Sequence, residues 1–111
     1  MLSTMPDLEL AYKPDAAQAV ARVEAWWQGE ILDRPCVQVS APKPGPRPAI
    51  PAKTWATTRD RWLDLEYRLA SFDAQAQATW YGGELLPNFH PNLGPEIMAA
   101  AYGCDLDFTE T

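Results

Sequence analysis

At 111 residues the chain has room for one modest core and falls well short of the roughly 250 residues of a complete (β/α)8 barrel. Hydrophobic residues at 47% and charged residues at 22% match a globular composition and exclude the apolar-poor, charge-heavy profile of a disordered chain. A net charge of -6 and nine scattered Lys and Arg residues argue against a nucleic-acid partner, which needs clustered cations to displace counterions from phosphates.

The opening MLSTMPDLEL lacks the basic and apolar regions of a secretory leader, so a cytoplasmic location is expected. From Pro14 to Glu30 the apolar positions Ala16, Val20, Val23 and Trp27 recur at helical spacing, with Pro14 in the first turn and Gly29 at the exit. Neighbours on a helix lie ~100° apart, so one of Trp26 and Trp27 sits at the rim of the packed stripe. Asp33-Arg34-Pro35 ends this segment, and Cys36 to Ala41 alternates as a short strand, with Val37, Val39 and Ala41 on one face. Prolines at 42, 44, 46, 48 and 51 remove donors and fix φ, predicting an extended surface loop over 42–56. Its composition resembles a PxxP ligand, but a plain connecting loop is the expectation.

A long helix is predicted from Thr57 to Tyr81, with Trp62, Leu65, Leu69, Phe72, Ala76 and Trp80 as its apolar stripe and Arg61, Asp64, Arg68, Gln75 and Gln77 opposite. Thr57 or Thr58 caps its start and Gly82-Gly83 its end. At 1.5 Å per residue it would be ~37 Å long, and a break is expected near Ser71. Asp60, Asp64 and Glu66 read as a solvated face paired with Arg59, Arg61 or Arg68. Residues 81–95 form a loop dense in Gly, Pro and Asn that carries the only histidine, His90. A short helix from Pro95 to Tyr102, with Gly103 beyond it, precedes a second predicted strand from Cys104 to Phe108. The expected class is α/β, and the unpartnered last strand points to a truncated chain.

No helix-length apolar run approaches the ~20 residues needed to span a bilayer, so no membrane partner is expected. Cys36 and Cys104 lack CxxC spacing and read as reduced, buried thiols. Gly82-Gly83 fits neither GxGxxG nor a P-loop. His90 can exchange a proton near neutral pH and Glu84 lies six residues earlier in the same loop. Asn88 and Asn92 suit turns, and their amides can also hold polar groups of a substrate. Gly83, Glu84, Asn88, His90 and Asn92 are therefore the substrate-binding candidates. No catalytic residue and no metal ligand is assigned.

Ala25-Trp26-Trp27-Gln28-Gly29-Glu30 with Asp33-Arg34-Pro35 and the strand after it resembles the opening of uroporphyrinogen-decarboxylase-like proteins. Trp62-Leu63-Asp64-Leu65-Glu66-Tyr67-Arg68, and then Tyr81-Gly82-Gly83-Glu84 through Pro91-Asn92-Leu93-Gly94-Pro95, is similar to the next segment of an uncharacterised branch of that family. The resemblance covers most of residues 12–108. It implies the N-terminal portion of a truncated (β/α)8-type (TIM) barrel, residues 1–111 being one fragment of the domain. It further implies a small-molecule substrate, and a lyase (decarboxylase) or a methyltransferase working with a corrinoid protein. Zinc or a corrinoid belongs, on this resemblance, to the full-length protein, and no cofactor to this chain. The decarboxylases' MRQAGR motif has no counterpart here. A fragment inactive by itself is the first expectation, and a stand-alone interaction domain with an aromatic rim of Trp26, Trp55 and Trp80 is the alternative.

Overall fold

The computed structural model describes residues 8–91 and 97–109. The elements in chain order are α1 (Ala16–Trp27), β1 (Gln38–Pro42), α2 (Thr58–Leu63), α3 (Leu65–Gln77), β2 (Thr79–Gly83) and α4 (Ile97–Ala101). The chain divides into two compact units, Met1–Pro48 with Gln75–Asn88, and Ala49–Ala74 with Phe89–Thr111.

In the first unit α1 buries its small side chains, Ala16, Ala19 and Ala25. Its end is a Schellman turn: the Glu30 N–H reaches the Ala25 carbonyl at 2.8 Å and the Gly29 N–H reaches that of Trp26 at 3.0 Å. Both tryptophans are exposed, Trp26 at 57% and Trp27 at 76%, their rings edge to face at 4.9 Å. The predicted stripe thus gives way at Trp27, because the buried face of α1 runs through its alanines. The strand predicted over 36–41 forms one to two residues later, as β1.

β2 replaces the end of the predicted long helix. Thr79, Trp80 and Tyr81 favour a pleated strand, and β2 pairs antiparallel with β1 in the register Gln38↔Gly83 through Pro42↔Thr79. The Trp80 indole lies over Gly82, where a Cβ would come within 2.4 Å of the ring. Gly83 has φ +60, and a Cβ there would stand 2.0 Å from the Val37 carbonyl oxygen. Trp80 and Gly82–Gly83 therefore belong to the sheet and not to a helix and its cap.

In the second unit the predicted helix is also broken early, at Asp64 and not near Ser71. Thr57 caps α2, its hydroxyl oxygen accepting the Asp60 N–H at 3.1 Å. Asp64 stops α2 and starts α3, its carboxylate accepting the Tyr67 N–H at 3.0 Å. The same carboxylate accepts the Trp55 indole N–H at 2.9 Å and pairs with Lys53. These partners, Lys53 first, hold its pKa down to about 2. Trp55 and Tyr67 pack edge to face at 4.6 Å, and Phe72 meets Phe89 at 5.4 Å. The loop predicted over 42–56 carries no helix or strand beyond Pro42. Of the Pro95–Tyr102 helix, Ile97–Ala101 is helical, and Pro95 lies outside the described residues. Cys104–Phe108 is not a strand, and among the described residues the sheet consists of β1 and β2 alone. Cys104 is exposed and Cys36 half-buried, so neither is the fully buried thiol expected.

All the buried apolar side chains among the described residues are alanines: Ala16, Ala19, Ala25, Ala74 and Ala76. Larger ones, including Ile31, Leu32, Leu63, Leu65, Leu69 and Met98, are exposed.

Gly83→Ala should disrupt the β1–β2 ladder, combining a positive-φ penalty of about 1–3 kcal/mol with a backbone clash. Hydrogen exchange at the Val39 and Ala41 amides is expected to accelerate by roughly tenfold or more. Unchanged exchange at both would mean that the turn relaxes without cost.

Candidate functional site

A carboxylate leaving a glycine pair at the end of a strand must either stay in solvent or find cations. Glu84 does the latter. It is 2% exposed, and β2 delivers it between α1 and the segment preceding β1. Its Oε2 accepts the Arg34 Nη1–H at 3.0 Å and the Val37 backbone N–H at 2.7 Å. Its Oε1 accepts the Arg34 Nη2–H at 2.8 Å and that of Arg22 Nη1 at 3.4 Å. The Glu84 N–H in turn reaches the Val37 carbonyl at 2.8 Å, so main chain and side chain together extend the ladder beyond β2.

Arg22, on α1, is shared. Its Nε and Nη2 donate to the two oxygens of Asp33 at 2.8 and 2.9 Å. The result is an alternating chain, Asp33, Arg22, Glu84, Arg34, in which two anions balance two cations. The bidentate Arg34 bond is the main cause holding the Glu84 carboxyl below the usual carboxylate range, against the upward push of burial. Arg22 does the same for Asp33, and Asp33 raises the pKa of Arg22.

A second buried charge lies in the same unit. Lys13 is 1% exposed, and its Nζ donates to the Tyr81 and Gly83 carbonyls at 3.0 and 2.7 Å and pairs with Asp15 at 2.9 Å. An open cleft of about 420 Å³ lies alongside, lined by Tyr12, Asp15, Lys43, Trp80 and Gly82 among others, with Lys43 Nζ 5.7 Å from the Tyr12 ring centre.

Of the substrate-binding candidates, Gly83, Glu84 and Asn88 lie in the first unit and His90 in the second. Gly83 closes β2, and Glu84 is buried with both oxygens engaged, which leaves it no open position as a base or ligand. Asn88 is exposed in the first unit and His90 is exposed in the second. Asn92 lies outside the described residues. Among the described residues no group of three or more His, Cys, Asp or Glu side chains is placed to hold a metal. The Cys36 thiol donates to the Arg22 carbonyl at 3.4 Å. Sequence reasoning missed Lys13, Arg22 and Arg34 as partners because isolated basic residues carry no spacing signal. The one legible hint was an acid placed directly after two glycines.

Scans of protein-family models, of curated proteins and of solved structures find no match to this chain. No helix of the described residues is long and apolar enough to cross a membrane.

Because the folded pKa of Glu84 lies below its ordinary 4.5, its contribution is fully present above that pH and is lost as pH falls through the folded value. The Val37 amide resonance should therefore titrate with a midpoint below 4.5, and Glu84→Gln should abolish that acid transition. A midpoint at or above the ordinary value would show that burial outweighs the arginines.

Proposed function

We propose that residues 1–111 are the opening part of a cytoplasmic uroporphyrinogen-decarboxylase-like enzyme, inactive until the remaining strands of a (β/α)8-type barrel cover them. The observation that carries this reading is the mismatch between what is buried and what is left out. Among the described residues only alanines are buried as apolar core, while Trp26, Trp27, Ile31 and Leu32 cluster in sequence and stand half or more exposed. Fully burying side chains of the Leu or Ile class stabilises by about 1.5–3 kcal/mol each. Such a surface is what an unfilled domain interface leaves.

The ion network adds support. The two sequence blocks that carry the family resemblance, Asp33-Arg34-Pro35 and Tyr81-Gly82-Gly83-Glu84, meet at the Arg34–Glu84 pair. In this reading Glu84 is a positioning residue that fixes where the loop after β2 begins, and Asn88, His90 and Asn92 belong to the rim of a small-molecule cleft. Barrel strands run parallel, so the antiparallel β1–β2 pair would lie outside the barrel in this reading. Methyl transfer with a corrinoid protein stands ahead of porphyrinogen decarboxylation, since the MRQAGR motif is missing. Zinc, where the enzyme uses it, would be held by residues beyond this chain.

The stand-alone interaction domain draws on the same exposed tryptophans but loses one of them. Trp55 is half-buried and bound to Asp64, which leaves Trp26 and Trp80.

Calorimetry combined with binding of an apolar-surface dye separates the two. Broad, weakly cooperative unfolding with strong dye binding is expected, and Trp26→Ser with Trp27→Ser should lower the dye signal. A sharp transition with little dye bound would overturn the enzyme-segment reading in favour of a self-contained module.

A further inference from the structure

The two edges of the β1–β2 sheet are managed in opposite ways. The Glu84 N–H to Val37 carbonyl bond and the Lys43 N–H to Ala78 carbonyl bond, both 2.8 Å, extend the register Gln38↔Gly83 at its two ends. In an antiparallel pair, hydrogen-bonded and non-bonded residues alternate. Val39/Gly82 and Ala41/Trp80 are therefore the hydrogen-bonded pairs. Gln38, Ser40 and Pro42 on β1, and Tyr81 and Gly83 on β2, aim their backbone groups outward.

On β2 the outward carbonyls of Tyr81 and Gly83 are both occupied by the buried ammonium of Lys13. A lysine at this place closes the edge to strand addition. On β1 nothing corresponds to it among the described residues. Gln38, Val39 and Ser40 are exposed, and the sheet ends at β1 among the described residues. No charged residue occurs from Cys36 to Pro42, so β1 itself brings no like-charge repulsion to this edge.

We propose that the outer edge of β1 pairs antiparallel with β1 of a second copy of this chain, about a two-fold axis at Val39. This register places Gln38 of one copy opposite Ser40 of the other, and the two pairs exchange four backbone hydrogen bonds. Every outward N–H of β1 is then satisfied. Val39 faces its own counterpart at a non-bonded position, where side chains approach closely, and Val37 faces Ala41. The next pair would be Pro42 with Cys36, and proline has no N–H to give, so the ladder stops there. The contact is isologous and closed: the four-stranded sheet β2-β1-β1-β2 ends on both sides at a Lys13-blocked edge, so assembly halts at the dimer. The proposal concerns the 111-residue chain as it stands and is independent of the enzyme reading.

Sedimentation equilibrium of the wild-type chain at neutral pH and submillimolar concentration should give a dimer. Ser40→Pro removes an N–H that serves only the outer edge and should give a monomer whose Val39 and Ala41 amides remain protected. Val39→Cys supplies a check that does not depend on tolerance of proline. Non-bonded positions meet at Cα separations of about 4.5 Å, within disulfide range. Mild oxidation should therefore link position 39 of the two copies in preference to Cys36 or Cys104, as read by peptide mass mapping. A wild-type monomer, an open series of larger species, a Ser40→Pro dimer, or absence of the 39-to-39 disulfide would each overturn the proposal.

Discussion

A buried carboxylate is tolerable only when its lone pairs are met, and Glu84 meets them with two arginines and a backbone amide. The placement of three segments depends on this. Arg22 brings α1, Arg34 brings the stretch before β1, and Val37 brings β1 itself to the end of β2. Removing one partner would leave a buried charge uncompensated, which costs more than the intact pair contributes. Gly83 belongs to the same arrangement. Its positive φ turns the chain so that the residue after it can bond Val37 with both its N–H and its side chain, and a Cβ would collide with the carbonyl that this arrangement uses.

The sequence reading succeeded where local chemistry and tertiary structure agree. The exit of α1 at Gly29, the short alternating strand and the proline-rich loop are each written in a few adjacent residues. It failed where two local signals compete. Helical periodicity runs unbroken through Asp64, yet an aspartate can also cap a helix, and Trp55, Lys53 and the Tyr67 amide make the cap the better choice. Thr79–Gly83 satisfies the helical stripe at Trp80 but sits beside β1, and backbone pairing outweighs a weak propensity. Cys104–Phe108 alternates without any strand to pair with, and alternation alone does not make a strand.

The candidate site was legible only in part. An acid after two glycines is conspicuous in the chain, and Glu84 is a focal residue of the structure. Its partners were not legible because they lie 47 to 62 residues away, separations at which no motif spacing survives. His90 drew attention by being the only histidine, which is a statement about composition and not about geometry.

Lys13 and Arg34 show that charged side chains here serve backbone geometry. Lys13 binds carbonyls on the outer edge of β2, and Arg34 binds both the carboxylate of Glu84 and the Pro35 carbonyl. Each uses a side-chain donor to satisfy chain that would otherwise need another strand or water. With apolar burial limited to alanines among the described residues, hydrophobic contacts alone would leave the first unit poorly specified. Directional bonds supply the register that packing does not. The two edges of the sheet differ in the same terms: Lys13 occupies the outward carbonyls of β2, and among the described residues no cation does so on β1.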